Sequence, residues 1–143
     1  MSCVINFFCE NISYVVRKKG ALRNWISRAI EREGKVGGDL NFILCDDDYL
    51  AELNFKYLKH KTLTDILTFS LDDETGGLCG DIFISLPRIR ENAKKFNQLL
   101  EVELHRVMIH GVLHLIGYND ASKKEKDEMH RKEDFYLNLL QNQ

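Results

Sequence analysis

A chain of 143 residues with 44% hydrophobic and 29% charged side chains has the make-up of an ordinary water-soluble globular protein. That composition argues against a disordered chain, a collagen-like rod and a coiled-coil rod, and the length suits one domain over residues 1–143 that buries roughly two-thirds of its unfolded surface. Twenty basic against 22 acidic residues leave a net charge of −2, so the chain is no general polyanion binder and any nucleic-acid contact must come from a local patch. Apolar runs such as Val107-Met108-Ile109 fall far short of the roughly 20 residues that span a bilayer, and no membrane partner is expected. Residues 1–9 lack a basic segment and are interrupted by Asn6, which predicts no secretory leader and a cytoplasmic location. Cys3, Cys9, Cys45 and Cys79 form no Cys-x-x-Cys pair and are expected as free thiols.

Residues 3–9 predict a first strand. Ala21, Leu22, Trp25, Ile26, Ala29 and Ile30 then recur at helical spacing up to Gly34, a C-cap candidate. Gly37-Gly38 predicts a turn, residues 40–45 a strand, and the acidic run Asp46-Asp47-Asp48 the start of a short helix through Leu50, Leu53 and Asn54. Residues 65–71 and 78–86 are rich in β-branched and aromatic side chains and flank a Gly-containing loop, the pattern of a hairpin. Pro87, the only proline, suits a first helical turn, with Ile89, Ala93 and Phe96 on one face of the helix that follows. Residues 101–116 predict a helix that is nearly apolar from Val107 onward, hence buried, and stopped by Gly117. Ser122 and Glu125 have the spacing of a capping box opening a last helix, with Met129, Lys132, Tyr136 and Leu140 on one stripe. The fold class is α+β: helices packed on a small mixed sheet, with a metal site on the buried helix and the turn after it.

The chemistry concentrates in that helix. His110 and His114 stand four residues apart, which places both imidazoles on one side of the helix, one turn apart. Gly117 can take the left-handed conformation that turns the chain back, bringing Asp120 to the same point. Two histidines could simply satisfy each other, but two polar rings side by side on an apolar helix are costly to bury unless something satisfies both. Three donors with a fourth position left to water are the layout of catalytic rather than structural zinc, which predicts one Zn2+ or another divalent ion per chain. The spacing also matches the frame His-Glu-x-x-His-x-x-Gly-x-x-His of the metzincin proteases. There the glutamate is the general base, whereas this chain has Gly111, so peptide hydrolysis by that route is disfavoured.

His110-Gly-Val-Leu-His-Leu-Ile-Gly-Tyr-Asn-Asp120 closely resembles the His-Gly-x-Leu-His-Leu-x-Gly-Tyr-Asp-His signature of the bacterial YbeY endoribonuclease family. Leu53-Asn54, Tyr57 and Thr64-Asp65-Ile66-Leu67-Thr68-Phe69 are similar to a second block of that family, and Gly80-Asp81-Ile82 to a third. The resemblance implies a metal-dependent hydrolase acting on single-stranded RNA, with a role in 16S ribosomal RNA 3′-end processing and ribosome quality control on ribosomal particles. It also implies three histidine ligands, of which His110 and His114 match two, while Asp120 stands at the third and Asn119 replaces the aspartate before it. An aspartate would lower the charge of a zinc site from +2 to +1 and acidify bound water less than a third imidazole. No side chain is assigned a catalytic role, the expected nucleophile being water held at the metal.

Leu58 stands where the family block carries an arginine expected to face the phosphate. A cation in its place must come from Lys59, Lys61 or His60, as a point charge rather than a fork. Lys56, Lys59 and Lys61, interleaved with Phe55 and Tyr57, are the RNA-contact candidates, because basic side chains beside aromatics suit single-stranded RNA. Thr64 and Asp65 read as strand-opening hydrogen bonders. His105, about 140° away from His110 around the helix, and His130 are left out of the site. Two alternatives to an endoribonuclease remain: a metal-dependent peptidase, or a non-catalytic ribosome-assembly factor in which a metal staples the turn at Gly117.

Overall fold

The computed structural model describes residues 3–58, 64–71 and 76–142. In chain order the elements are β1 (Val4–Glu10), α1 (Lys19–Arg32), β2 (Gly37–Cys45), α2 (Asp47–Leu58), β3 (Ile66–Leu71), β4 (Leu78–Ser85), α3 (Leu86–Lys95), α4 (Leu100–Ile116) and α5 (Lys123–Gln141). The strands form one sheet in the order β1-β2-β4-β3. β1 and β4 run parallel to β2, and β3 pairs antiparallel with β4 as the expected hairpin. The α+β class with a mixed sheet is therefore as the sequence indicates.

Alternation along the strands gives the sheet two different faces. On one, Ile5, Leu40, Phe42, Leu44, Ile82 and Ile84 are fully buried and join Trp25 and Ile26 of α1 and Met108, Ile109, Val112 and Leu113 of α4 in the main core. On the other, Cys45 and Leu67 pack with Leu50 of α2, flanked by Tyr49, Phe69 and Phe83. Away from α2 that face turns polar, with Asn6 donating to Asn41 and Asn41 to Asp81 across three strands.

α4 lies against the sheet at Gly111. A Cβ there would come within 2.8 Å of Ile82 Cγ2 and 3.0 Å of Ile66 Cδ1, so only glycine lets the helix approach this closely. Pro87 sits in the first turn of α3, capped by Ser85, and Ser122 with Glu125 forms a complete capping box on α5. Asp46 accepts from the Tyr49 N–H, and Asp47 from Ser85 Oγ and Arg88, so the acidic run caps α2 and ties it to α3.

Three expectations are corrected. Gly37-Gly38 opens β2, with an irregular register before Leu40, rather than forming a turn: the chain is already pairing with β4 at Gly37. Phe96 does not continue the buried face of α3; it is the C-cap residue, 57% exposed, because the helix has ended. On α5 the buried stripe is Met129, Glu133, Tyr136 and Leu137, with Glu133 rather than Lys132 facing inward.

Candidate metal centre

α4 ends as its sequence dictates. Gly117 takes φ +127°, its N–H bonds back to Leu113 and His114, and the Tyr118 N–H bonds to the Leu113 carbonyl. The reversal that follows returns Asp120 to the helix. His110 Nε2 and His114 Nε2 lie 2.9 Å apart, and Asp120 Oδ2 is 3.3 Å from the first and 3.4 Å from the second. The sequence-predicted trio is thus brought together, and it is the only group of three potential metal donors within 4.8 Å of one another among the described residues.

The remaining ring nitrogens decide which atoms are free to bind. His114 Nδ1 is 2.9 Å from the Tyr118 carbonyl oxygen, which can only accept, so that nitrogen carries the hydrogen and Nε2 presents a lone pair. His110 Nδ1 is 2.6 Å from Glu133 Oε2 and donates to it in the same way. Glu133 is 3% exposed, and its other oxygen accepts from Arg106 Nη1 at 3.0 Å, while Arg106 Nη2 donates to Asp134 at 2.8 Å. Burial opposes ionisation of both partners, but the short bond between them prevails: with the Arg106 charge it holds Glu133 below its ordinary pKa, and with the charges of Glu133, Asp120 and Asp65 it holds His110 above its own.

With each Nδ1 committed as a donor, His110 Nε2, His114 Nε2 and Asp120 Oδ2 converge on one point, which a proton shared between the rings satisfies when no ion is bound and a bound cation satisfies in its place. The donor set fits zinc, for which two imidazoles and a carboxylate are ordinary ligands. The turn that carries Asp120 is itself anchored. Glu33, at the end of α1, accepts from the Tyr118 and Tyr136 hydroxyls and from Lys132, and these bonds overcome its burial to hold its pKa below the usual carboxylate value.

A groove of about 580 Å³ opens beside the centre between α3, α4 and α5, with His110 and Asp120 among its lining residues. Asp65 reaches it from the start of β3, accepting from Asn92 Nδ2 at 3.3 Å, while Thr64 bonds the Ile66 backbone as expected. Lys56 is exposed in the last turn of α2, its ammonium over the Tyr57 ring, and does not line this groove. Lys59 and Lys61, with His60, lie outside the described residues. Leu58 is exposed at the end of α2. His105 packs edge-on to Trp25, away from the centre, and His130 lies exposed near Glu133.

Sequence reasoning missed Glu133 and Arg106. The signal for Arg106 was its position one turn before His110 on the same face of α4; for Glu133 it was a spacing of four from Met129 and three to Tyr136, which turns it inward.

A buried helix with two imidazoles one turn apart and a carboxylate folded back onto them defines the frame of a single-metal hydrolase. The chain belongs to the YbeY family, whose profile, described as endoribonuclease YbeY, matches residues 9–141. It is 49% identical over 137 residues to the endoribonuclease YbeY of Christiangramia forsetii, covering 95% of this chain and 94% of that protein. The endoribonuclease YbeY of Flavobacterium psychrophilum is 48% identical over 135 residues, covering 93% and 94%. The solution structure of a Thermotoga maritima protein superposes with a TM-score of 0.63 at 31% identity, covering 96% of this chain and 89% of that one.

Proposed function

We propose that this protein is a metal-dependent endoribonuclease of ribosomal RNA maturation that works as one domain and cleaves single-stranded RNA. Its substrate would be the 3′ end of 16S ribosomal RNA on ribosomal particles in the cytoplasm, with the same cleavage serving ribosome quality control. Family membership over residues 9–141 carries the ribonuclease reading, and no helix among the described residues is long and apolar enough to cross a membrane. The observation that carries the site is the convergence of His110 Nε2, His114 Nε2 and Asp120 Oδ2. These three residues would hold one zinc ion, which when bound supplies a Lewis acid for the phosphate and a lowered pKa for water.

The chain's own residues set up that chemistry. Glu133 fixes the tautomer of His110 and the Tyr118 carbonyl that of His114, so both rings offer Nε2 without rearrangement. Asp120 brings a negative charge that offsets part of the cation's. Position 111 faces Ile82 and Ile66 and has no room for the general-base glutamate of a peptidase, which supports RNA rather than peptide as substrate. Lys56, Lys59 and Lys61 are proposed to contact phosphates. Changing Lys59 and Lys61 to alanine should weaken RNA binding and reduce the steepness of its salt dependence, and an unchanged slope returns both to the solvated surface.

The testing experiment incubates purified protein with end-labelled single-stranded ribosomal RNA and, in parallel, with casein, each with and without chelator. RNA cleavage that chelator abolishes and zinc restores, with casein intact, is expected. RNA left whole in the presence of zinc contradicts an enzyme and favours the metal-stapled assembly factor.

A further inference from the structure

The groove beside the metal centre contains an acid that the metal does not use. His110, Val107, Arg106 and Glu103 fall at steps of three and four along α4, so they form one stripe, and all four line the groove. Seven residues of helix separate the two ends of that stripe by roughly 10 Å. Glu103 is 6% exposed and lines the groove, and its carboxyl oxygens are not among the fully buried atoms left without a partner, so what remains open of the side chain is the carboxyl facing the groove. Burial pushes its pKa up against the opposing attraction of Arg106, whose guanidinium is already bonded to Glu133 and Asp134. A largely desolvated carboxyl whose oxygens open into a groove is an acceptor that the N–H donors of a ligand can take up in exchange for water.

The lining decides which ligand. A free anion is disfavoured, because Asp65, Glu103, Asp120, Glu133 and Asp134 outnumber Lys126 and His130 in the lining and the Arg106 guanidinium is paired. A second metal is disfavoured, because no other trio of donors among the described residues closes as the His110 group does. A neutral molecule rich in N–H donors remains. Val107 and Met129 give the groove apolar wall, and Phe96, 57% exposed, stands in its lining as a ring on which a base can stack. A carboxylate is a pure acceptor with two oxygens, and guanine is the standard base that presents adjacent N–H donors, N1–H and the exocyclic amine, on one edge. The volume of about 580 Å³ lies in the range of small-molecule sites.

We propose that the groove between α3, α4 and α5 is a base-recognition subsite in which Glu103 accepts the paired N–H donors of an unstacked guanine beside the scissile phosphate, with Phe96 stacking on the ring. The proposal rests on the reading of the His110 centre as the place of cleavage, and gives that centre a sequence preference.

The test digests single-stranded RNAs that carry guanosine, inosine or adenosine at one position in an otherwise fixed sequence, with the zinc-loaded protein and with its Glu103→Gln variant. The wild type should cleave next to guanosine over adenosine by about tenfold or more, the worth of one two-point base contact, with inosine between them. Glu103→Gln should bring the ratio close to one, since an amide presents one acceptor and one donor. The ratio is internal to each RNA set, so a variant that folds or binds metal less well lowers all rates together and leaves it unchanged. Equal cleavage beside all three bases, or the same preference in the variant, overturns the subsite. Equilibrium binding of the same RNAs separates the two readings: a guanosine preference in binding that Glu103→Gln removes, without cleavage, fails the nuclease reading and keeps the subsite, whereas no preference in binding or cleavage overturns the subsite.

Discussion

The two histidines of the centre are held in different ways. His110 is oriented by Glu133 on the neighbouring α5, backed by Arg106 of its own helix, and the bond is one of charge. His114 is oriented by the main chain of the turn that its own helix makes, through the Tyr118 carbonyl, and that turn is tied down by Glu33 from the end of α1. The first arrangement makes one ligand depend on packing between α4 and α5. The second makes the other ligand depend on the local geometry at Gly117, which no side-chain substitution at 118 removes. Metal affinity should therefore respond strongly to substitutions on the α5 side and weakly to changes in the side chains that anchor the turn without binding the ion, where stability should respond instead.

The largest effect is expected from the ligands themselves. His110→Ala or His114→Ala should lose the ion, because two donors leave affinity too low, and elemental analysis after dialysis should find well below one zinc per chain. Full occupancy in either variant would remove the site.

Next comes the contrast between the two supports. Glu133→Gln should weaken zinc binding by about 10–100-fold, as loss of a carboxylate behind a ligating imidazole generally does, measured by competition with a chromogenic chelator. Tyr118→Phe leaves the carbonyl that holds His114 in place and should change affinity by less than about threefold. Equal losses in the two would show that the asymmetry has no energetic content.

The turn side is tested by stability. Glu33 is held below its ordinary pKa of 4.5 by the hydroxyls of Tyr118 and Tyr136 and by Lys132, which outweigh its burial. Its contribution to folding is therefore fully present above pH 4.5 and is lost as pH falls through the lower folded-state pKa. Glu33→Gln should cost about 2 kcal/mol near neutral pH, or roughly 5–8 °C in Tm, with the difference from wild type closing as pH drops below that range. A difference that stays constant down to strong acid would mean that the ionised form does not anchor the turn.

What could be read from the sequence follows the range of the interactions. His110, His114, Gly117 and Asp120 lie within eleven residues, and helix periodicity with one glycine reversal is enough to converge them. The capping box at Ser122 and Pro87 in the first turn of α3 are equally local, and both were legible. Glu133 was not, since its role depends on how α5 crosses α4, 23 residues away from His110 in sequence. A shift of one position along α5 separates Lys132, which reaches Glu33, from Glu133, which reaches His110, and amphipathic periodicity alone does not resolve it. The sequence shows the side chain that Gly111 lacks, and the reason it must lack one, contact with Ile82 and Ile66, is a property of the sheet beneath it. The turn read at Gly37-Gly38 failed for the complementary reason, because strand pairing with β4 overrides the local tendency of two glycines.

The central claim is that His110, His114 and Asp120 together hold one ion, and zinc titration of the wild type, Asp120→Ala and Asp120→His tests it most directly. The account predicts one zinc per chain for the wild type, loss of at least about tenfold in affinity for Asp120→Ala, and retention for Asp120→His, where the same turn presents an imidazole. Its RNA cleavage should then shift toward lower pH, because three neutral ligands leave the site its full +2 charge. Undiminished zinc binding by Asp120→Ala would contradict the account by placing the third ligand elsewhere.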